Sequence, residues 1–487
     1  MFQVTVFSTV ERLMGFVYRI FLSRNLGSEG MGLYQVSLSV LGLIMTLTAS
    51  GIPITVSRIM TKHTAENQES LNFSTVTAGM LLSVIISLPI VLILYFIPSI
   101  SGLIFTDERS YLLLKIMLPG VVITSVYAVI RGYFWGKKQF MTYSLIEFFE
   151  ELVMLVLGVV LIGSSTDLNG NILNAGKAVL YSYIFSFFTA TLLYFIRGGK
   201  LKSPKQELKP LISSATPITA MRTATSLINT LIAIVLPMRL VLGGMAQNLA
   251  MASYGELSGM SIPLIYIPST LIGSIALVLV PELSDNYYRH SNVTLKNNME
   301  KAIKSSVFIS SLIIPVFLCL GKELGTLVYD NLNAGIYVER ASIIMLPMSI
   351  TMITTSMLNS LNLEKKTLSY YLVGAVFLMA CIYFLPKYIG VYSLILGLFL
   401  SYLTTSICNL KLIKKTCKRP PQYKLFITAS VFFIIPSALF GYLLKNVLSL
   451  FLPLYLTVII CSILVTTFIY LLFKIFNLFN LKEVFMK

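Results

Sequence analysis

The chain has 487 residues, of which 56% are hydrophobic and only 12% are charged, and its mean hydropathy is +0.83. This composition excludes an ordinary soluble enzyme or binding module and indicates an integral membrane protein. A net charge of +17 would suggest nucleic acid as the partner of a soluble protein. Here the basic residues lie in short segments between apolar runs, so we expect anionic lipids as partners and no nucleic acid.

Apolar runs of about 20 residues can cross a hydrocarbon core of roughly 30 Å, because a helix rises about 1.5 Å per residue. In chain order the sequence predicts about fourteen transmembrane helices by this criterion. They cover residues 4–23, 32–52, 74–98, 113–135, 143–163, 177–196, 214–238, 255–280, 302–320, 341–362, 368–386, 390–410, 424–443 and 452–473. The predicted fold is therefore an all-α integral membrane protein.

Lys and Arg residues are unequally distributed between alternate loops. If the N-terminus is cytoplasmic, the basic residues crowd into cytoplasmic segments, of which the segment with Lys200, Lys202, Lys205 and Lys209 is an example. The loops on the opposite side hold few, such as Arg109 and Lys177. Cytoplasmic loops of membrane proteins carry such an excess. We therefore predict that both termini lie in the cytoplasm.

Two stretches of the chain match at an offset of 228 residues. Leu118-Pro119 recurs as Leu346-Pro347, Lys137-Lys138 as Lys365-Lys366, and Tyr143 as Tyr371. The match is either chance among apolar helices or an internal repeat of six helices, an arrangement typical of alternating-access transporters. The repeat predicts an N-terminal six-helix lobe (1–196), a basic cytoplasmic linker (197–212), a C-terminal six-helix lobe (213–411), and two additional helices with a cytoplasmic tail (412–487).

Three of the arginines inside predicted spans are candidates for a binding site. Arg12 lies near the middle of the first span, Arg19 lies two turns later on the same face, and Arg222 lies in the seventh span. A basic residue at the centre of a membrane helix costs about 2.5–3.5 kcal/mol unless it faces water or a partner. Either these arginines face a cavity that binds an anion such as a phosphate, or Arg12 pairs with Glu11 or Glu151 and joins helices.

Three glutamates, Glu147, Glu150 and Glu151, share one face of the fifth span because they are spaced i, i+3 and i+4. Carboxylates facing lipid would be unfavourable, so we expect this face to point inward. The cluster is an ion-coupling site for a proton or cation, or it supplies counter-charges for the cavity arginines, or it pairs with Arg131, Lys137 or Lys138.

No motif for catalysis or a cofactor stands out. The five cysteines are scattered without a CxxC pair, so we expect neither disulfides nor a metal site. The sequence has no P-loop, GxGxxG or zinc-ligand spacing, and we therefore expect no bound cofactor and no ATP hydrolysis. A polytopic glycosyltransferase remains an alternative class, but it would need a carboxylate constellation in a large external loop, and the external loops here are short. We predict a protein that is not an enzyme.

The stretch from Gly15 to Gln35 reads GFVYRIFLSRNLGSEGMGLYQ. With Gly51-Ile52-Pro53, Arg131-Gly132-Tyr133-Phe134 and Val280-Pro281-Glu282-Leu283-Ser284, it resembles the polysaccharide-transport branch of the multidrug/oligosaccharidyl-lipid/polysaccharide (MOP) exporter superfamily, and within it most of all the sporulation proteins. The resemblance implies two pseudo-symmetric six-helix lobes of the MATE-like fold, often with two extra helices. It also implies transport of undecaprenyl-linked sugar intermediates, such as lipid II, in the bacterial cytoplasmic membrane.

The resemblance also implies roles for individual residues. Arg12 and Arg24 match first-helix cavity arginines of the lipid II flippases in this superfamily, and Arg58 matches the one after the second helix. Two positions depart from that pattern: Arg19 is shifted by one residue, and the eighth span offers Glu256 where those flippases carry a basic residue. These departures affect the identity of the headgroup and not the fold.

The leading hypothesis is a flippase for a polyprenyl-pyrophosphate-linked saccharide, with Arg12, Arg19, Arg24, Arg58 and Arg222 as substrate-binding residues. Its role would lie in spore cortex or cell-envelope synthesis, alongside cell-wall synthesis proteins, with coupling to the membrane potential, H⁺ or Na⁺. The alternative is a cation-coupled multidrug exporter of the same fold. The glutamate cluster fits that alternative, but the first-helix arginines do not.

The predicted topology can be tested by accessibility labelling. Single cysteines at Ser203 and at Asp167, in a background without native cysteines, are expected to react with a membrane-impermeant reagent from opposite faces. Ser203 should react only after permeabilisation and Asp167 in intact cells. Labelling of both positions in intact cells would contradict the fourteen-span topology.

Overall fold

The structure is a computed structural model that describes residues 2–97, 101–164, 167–289, 291–418 and 420–478. Within these ranges the chain forms helices and no strands. The first nine helices are α1 (Phe2–Ala49), α2 (Ile52–Ala65), α3 (Leu71–Phe96), α4 (Ser101–Ile104), α5 (Glu108–Gly136), α6 (Phe140–Ile162), α7 (Leu168–Ile196), α8 (Leu208–Leu242) and α9 (Gln247–Tyr254).

The remaining helices follow a π-helical segment, Gly255–Ser261. They are α10 (Ile262–Tyr266), α11 (Ser269–Tyr288), α12 (Asn292–Tyr329), α13 (Leu332–Ala341), α14 (Met345–Ser360), α15 (Glu364–Phe384), α16 (Pro386–Ile389), α17 (Tyr392–Thr416), α18 (Lys424–Leu448) and α19 (Leu454–Ile475). The all-helical membrane fold predicted from the sequence is confirmed.

The number of spans follows from the length and composition of the helices. Among the described residues, 11 helices are long and apolar enough to cross a membrane, or up to 12 if the bent pair Gln247–Tyr266 and Ser269–Tyr288 is one span. One of them is a run of 57 residues from Thr9 to Ala65, which is long enough for two crossings. Helix α6 is not among them because it carries three glutamates. The count of fourteen stays a prediction.

The loop expected between the first two spans is replaced by a kink. Helix α1 continues through residues 24–31, and only Gly27 departs from helical geometry, with φ of 65° and ψ of −172°. A side chain with a Cβ is strained at such a φ, and glycine is not. A single glycine therefore redirects the helix where the sequence predicted several loop residues.

The chain divides into two compact units. Unit 1 comprises Met1–Val241 and Met245–Gly255, and unit 2 comprises Leu242–Gly244 and Glu256–Lys487. Helix α8, which the sequence assigned to the C-terminal lobe, belongs to unit 1 by its contacts. The predicted lobe boundaries and their pseudo-symmetry stay predictions.

In unit 1, helix α5 packs against α1, α2, α3 and α7. A buried cluster around Val56, Phe134 and Tyr194 fills the space between these helices. The basic linker is fixed on this unit: the Tyr194 hydroxyl donates to the Lys200 carbonyl (2.8 Å), and Thr75 Oγ1 donates to Glu207 Oε2 (3.2 Å). The linker therefore follows a defined path along unit 1.

The start of α5 is held by an ion-pair network. Arg109 pairs with Glu29 of α1 and, at 2.7 Å, with Asp107, the N-cap residue of α5. Burial disfavours the charged form of Asp107, but hydrogen bonds from the Arg109 side chain and amide outweigh burial and hold the pKa of this carboxyl below its ordinary value. Because the folded pKa is lowered, the stabilisation is present at neutral pH and is lost as the pH falls through it.

In unit 2, the 38-residue helix α12 is the central element and packs against α11, α13, α14, α18 and α19. Glu256, which the sequence analysis named as a departure from the family pattern, is buried and accepts hydrogen bonds from Asn331 and Asn333, both at 3.3 Å. These amides link the π-helical segment to the start of α13.

The two repeated lysine pairs occupy different places in their turns. The turns after α5 and α14 share one hydrogen-bond pattern, in which Gln139 N donates to Phe134 O and Leu363 N to Leu358 O. These turns are 224 positions apart, whereas the sequence match is 228 apart. Lys137-Lys138 thus lies in the turn, but Lys365-Lys366 lies in the first turn of α15. When the two turns are aligned, the second lysine pair lies about one helical turn further along the chain than the first.

Helix α1 offers a matched test of close packing. A Cβ at Gly32 would lie 2.0 Å from the Met251 carbonyl oxygen of α9, whereas a Cβ at Gly42 would meet nothing within 4 Å. Gly32→Ala is expected to destabilise the protein by about 1–3 kcal/mol through overpacking. Gly42→Ala is expected to be neutral or stabilising by up to about 1 kcal/mol. Thermal unfolding of the purified proteins would check both, and equal effects would contradict the packing of α1 on α9.

Candidate functional site

Two helices of unit 1 present polar faces within their membrane segments. On α5, Thr124, Tyr127 and Arg131 are spaced by three and four residues and therefore share one face. The three glutamates of α6 do the same. The inward orientation that the sequence predicted for this glutamate face is the one observed, because all three line a cavity inside unit 1.

This cavity has a volume of about 400 Å³ and is bounded by α1, α5, α6, α7 and α8. Its charged lining residues are Glu11, Arg131, Glu147, Glu150, Glu151 and Arg222, and its polar ones include Ser50, Thr124, Tyr127 and Tyr183. Four carboxylates thus face two guanidinium groups. We call this space the acidic cavity.

One ion pair crosses the acidic cavity. Arg131 Nη1 donates to Glu147 Oε1 at 2.9 Å, and both side chains are about 30% exposed (30% and 28%). The Arg131 guanidinium also lies over the Trp135 ring, 5.2 Å from its centre. The Arg131 Nε donor is buried and has no hydrogen-bond partner among the described residues. Arg131 thus retains an unpaired buried donor in the wall of the cavity.

The other two glutamates of α6 have different surroundings. Glu150 lies near Ser186 of α7. Glu151 packs against α1 at Gly15, where an added Cβ would lie 3.0 Å from Glu151 Oε1. Within the described part of the chain neither carboxylate makes an ion pair within 4 Å, and Lys137 pairs with Glu69 instead, at 3.0 Å. Negatively charged side chains therefore outnumber positively charged ones in the acidic cavity.

The cavity wall also carries an unused hydroxyl. The Tyr127 side chain is only 4% exposed, and its hydroxyl has no hydrogen-bond partner among the described residues. Thr124 Oγ1 and Ser50 Oγ, which also line the cavity, are likewise without a partner there. A buried polar atom without a partner is costly, so these oxygens are expected to bind a ligand or water in the cavity.

Of the predicted substrate-binding arginines, only Arg222 lines the acidic cavity, and its Nη1 donates to the Ser50 carbonyl at 3.3 Å. Arg12 is exposed and makes no ion pair within the described ranges. Arg19 is half-buried and donates to Gln35 Oε1 at 3.3 Å. Arg24 and Arg58 are exposed on α1 and α2. Their role in binding substrate stays a prediction.

Sequence reasoning named Arg131 as a partner for the glutamates and as part of a motif that carries the family resemblance, and it named Glu11 only as a partner for Arg12. It did not name Tyr127. A signal for these residues exists, because Tyr127 and Arg131 are four residues apart on one face of α5. The packing of α5, α6 and α7 brings this face against the glutamates of α6. Neither segment alone predicts that contact.

A protein-family model described as "Polysaccharide biosynthesis protein" matches residues 1–287. Among curated proteins, stage V sporulation protein B of Bacillus subtilis (strain 168) is 26% identical over 378 residues, which is 75% of this chain and 73% of that protein. Lipid II flippase MurJ of the same organism is 20% identical over 487 residues, covering 92% of this chain and 87% of that protein.

Solved structures show the same fold. Lipid II flippase MurJ in an inward closed conformation matches with a TM-score of 0.70 and 14% identity, over 98% of this chain and 99% of that one. An inward-facing multidrug resistance MATE family transporter of the MOP superfamily matches with a TM-score of 0.68 and 14% identity, over 88% and 95% of the two chains. The MATE-like fold predicted from the resemblance is confirmed.

The family model covers more than half of the chain, so this protein belongs to the polysaccharide biosynthesis protein family. Its placement in the MOP superfamily, predicted from the residues, is confirmed. Where the printed names of these relatives state an activity, it is that of a flippase or transporter and not of an enzyme.

The orientation of Tyr127 can be tested against a tyrosine of the same helix. Tyr111 donates its hydroxyl to the Leu94 carbonyl at 2.8 Å, so Tyr111→Phe is expected to cost about 0.5–1.5 kcal/mol. Tyr127→Phe removes a hydroxyl without a partner and is expected to leave the thermal unfolding temperature unchanged or slightly raised. A loss equal to that of Tyr111→Phe would show that Tyr127 bonds within the protein and not to a cavity ligand.

Proposed function

We propose that this member of the polysaccharide biosynthesis protein family is a flippase for an undecaprenyl-linked saccharide. It would move a lipid II-like molecule or a polysaccharide precursor across the bacterial cytoplasmic membrane by alternating access. The process served would be spore cortex or cell-envelope synthesis. Family membership and the match to a lipid II flippase over most of the chain support the substrate class.

The observation that carries the proposal is the position of Arg12. It lies within an apolar helix, is exposed and has no ion-pair partner among the described residues. A guanidinium facing hydrocarbon there would cost about 2.5–3.5 kcal/mol. Arg12 is therefore expected to face an aqueous space. A planar guanidinium binds a pyrophosphate through two parallel hydrogen bonds, which suits the headgroup of such a lipid.

The remaining predicted arginines would extend this anion site. Arg19 shares a helix face with Arg12, and Arg24 and Arg58 are exposed. Arg222 lines the acidic cavity. In this proposal the arginines hold the pyrophosphate-sugar headgroup, and the polyprenyl tail stays in the lipid during transport.

Glu147, Glu150 and Glu151 are proposed as the ion-coupling site. They lie together in the acidic cavity with Glu11, and the protein supplies fewer positive than negative groups there. Binding of H⁺ or Na⁺ would correct this imbalance, and the membrane potential would then contribute to driving transport. We also propose that anionic lipids and cell-wall synthesis proteins are partners and that both termini lie in the cytoplasm.

The acidic cavity also favours the alternative function, a cation-coupled multidrug exporter of the same fold. A cavity with four carboxylates and the aromatic rings of Tyr127 and Tyr183 could receive a cationic drug. In that case Arg12 would have no direct part in transport. The two functions therefore differ in what they require of Arg12.

Substitution of Arg12 separates these functions. If the protein is a flippase, Arg12→Ala is expected to lower the flipping activity at least about tenfold, while the protein still accumulates in the membrane. Arg12→Lys should recover only part of the activity, because an ammonium keeps the charge but loses the paired hydrogen bonds. Flipping would be measured by the accessibility of lipid II at the outer surface, with a membrane blot for abundance.

Arg289→Ala is the matched control, because Arg289 is exposed, pairs with Asp285 and does not line the acidic cavity. If Arg12 instead joins helices by pairing with a glutamate, Arg12→Ala should lower abundance, and Arg12→Gln combined with Glu11→Gln should restore function. Full flipping by a stable Arg12→Ala protein would exclude Arg12 from the site. Unchanged efflux of a cationic dye in the same variant, without any flipping by wild type, would favour the drug exporter.

A further inference from the structure

A second cavity, of about 360 Å³, lies at one end of unit 2. It is formed by the N-terminal part of α12, the C-terminal end of α17, the start of α18 and the residues that follow α19. All four helix ends belong to the side that the positive-inside pattern assigns to the cytoplasm. The cavity therefore lies at the level of the lipid headgroups of the inner leaflet.

Three lysines from three helices line this cavity: Lys304 of α12, Lys414 of α17 and Lys424 of α18. The acidic residue in the cavity wall, Glu300, already accepts hydrogen bonds from Lys304 Nζ at 2.7 Å and from the Gln422 backbone amide at 3.0 Å. Lys414 and Lys424 make no ion pair with any described residue. Within the described ranges, two positive charges thus remain uncompensated in one concave site, which favours an anion.

The backbone adds to the positive electrostatic potential of this cavity. Helix α18 has 25 residues and begins at Lys424, and no side chain caps its N-terminus. The unpaired amides of a first helical turn carry partial positive charge and attract anions. The connection before α18 is held in place by the Gln422 bond to Glu300 and by a contact between Cys417 and Met299 at 3.7 Å. The site is therefore preformed.

An apolar stripe begins at the edge of the same cavity. Leu425 lines the cavity and is 73% exposed, and Phe432 and Leu439, seven and fourteen residues later on α18, are 73% and 60% exposed. Residues spaced by seven lie on one helix face. A soluble phosphate would use the lysines alone, but a molecule with a charged headgroup and a hydrocarbon chain would use both surfaces.

We propose that this cavity binds the phosphodiester headgroup of an anionic membrane phospholipid, with an acyl chain along the stripe of Leu425, Phe432 and Leu439. Such a lipid would bridge α12, α17 and α18 at their cytoplasmic ends. It would thereby fasten the C-terminal pair α18 and α19, which pack on α12, to the rest of unit 2. The proposal does not depend on the transported substrate.

The test uses the purified full-length protein in neutral detergent micelles, with phosphatidylglycerol or phosphatidylcholine added in increasing mole fraction. Phosphatidylglycerol is expected to raise the unfolding temperature saturably, and phosphatidylcholine is not. The double variant Lys414→Gln/Lys424→Gln is expected to bind phosphatidylglycerol at least about tenfold more weakly, since each lysine near an anionic surface contributes on the order of 1 kcal/mol.

The matched control is Lys365→Gln/Lys366→Gln, which removes the same charge from an exposed pair at the same membrane face outside the cavity. An equal loss in both double variants would show that only general surface charge attracts the lipid and would overturn the proposal. So would phosphatidylglycerol binding that does not depend on Lys414 and Lys424.

A further arm separates a lipid from a small anion. Phe432→Asn is expected to weaken phosphatidylglycerol binding, whereas competition by glycerophosphate or inorganic phosphate should be weak and unaffected by this change. If inorganic phosphate alone protects the protein as strongly as the lipid, the cavity is a site for a free anion and the lipid proposal is wrong. Because lipid binding and not flipping is measured, failure here leaves the flippase proposal untouched.

Discussion

The constraint on which this structure depends is the absence of water from the hydrocarbon core. A backbone amide or carbonyl that lacks a partner there costs several kcal/mol, so the chain forms helices, which satisfy these groups locally. Side-chain hydroxyls follow the same rule. Ser310 and Ser311 of α12 both donate to the Val307 carbonyl of their own helix, at 2.9 and 2.7 Å. Polar residues can thus lie within apolar helices without unpaired donors.

Helices that have satisfied their backbones still need to pack, and lipid offers little hydrophobic driving force for it. Close approach at small residues supplies the packing instead. Gly132 of α5 lies against the backbone of Pro53, and Gly255 lies against Ser28 and Gly32 of α1. In each case an added Cβ would fall within 2.6 Å of a backbone atom. Gly27, beside this contact, bends α1 so that its two parts can take different directions.

These causes explain which features the sequence revealed. Helical class and most spans follow from local composition, and they were predicted correctly. The kink at Gly27 was missed because the polar stretch 24–31 predicted a loop, and composition does not show that these residues continue the helix. The lysine pairs were aligned at an offset of 228, but the C-terminal ends of α5 and α14 are only 224 residues apart, about one helical turn less. Composition does not show where a helix ends. The inward face of Glu147, Glu150 and Glu151 was predicted because a lipid-facing alternative was too costly. Their partner Arg131 required the tertiary packing of α5 and α6.

The charge balance of the acidic cavity links the two parts of the proposed function. Four carboxylates and two guanidinium groups in a space of about 400 Å³ cannot all remain charged without further cations, because like charges repel strongly where the dielectric constant is low. One guanidinium is committed to Glu147. In the proposed function the remaining deficit would be met by protons, by a metal cation, or by a cationic ligand. An anionic headgroup inside this cavity would increase the deficit, so it is expected to bind chiefly to the arginines outside the cavity, such as Arg12, with Arg222 as the one contribution from the cavity wall. The cation and the anion would then occupy largely separate sites.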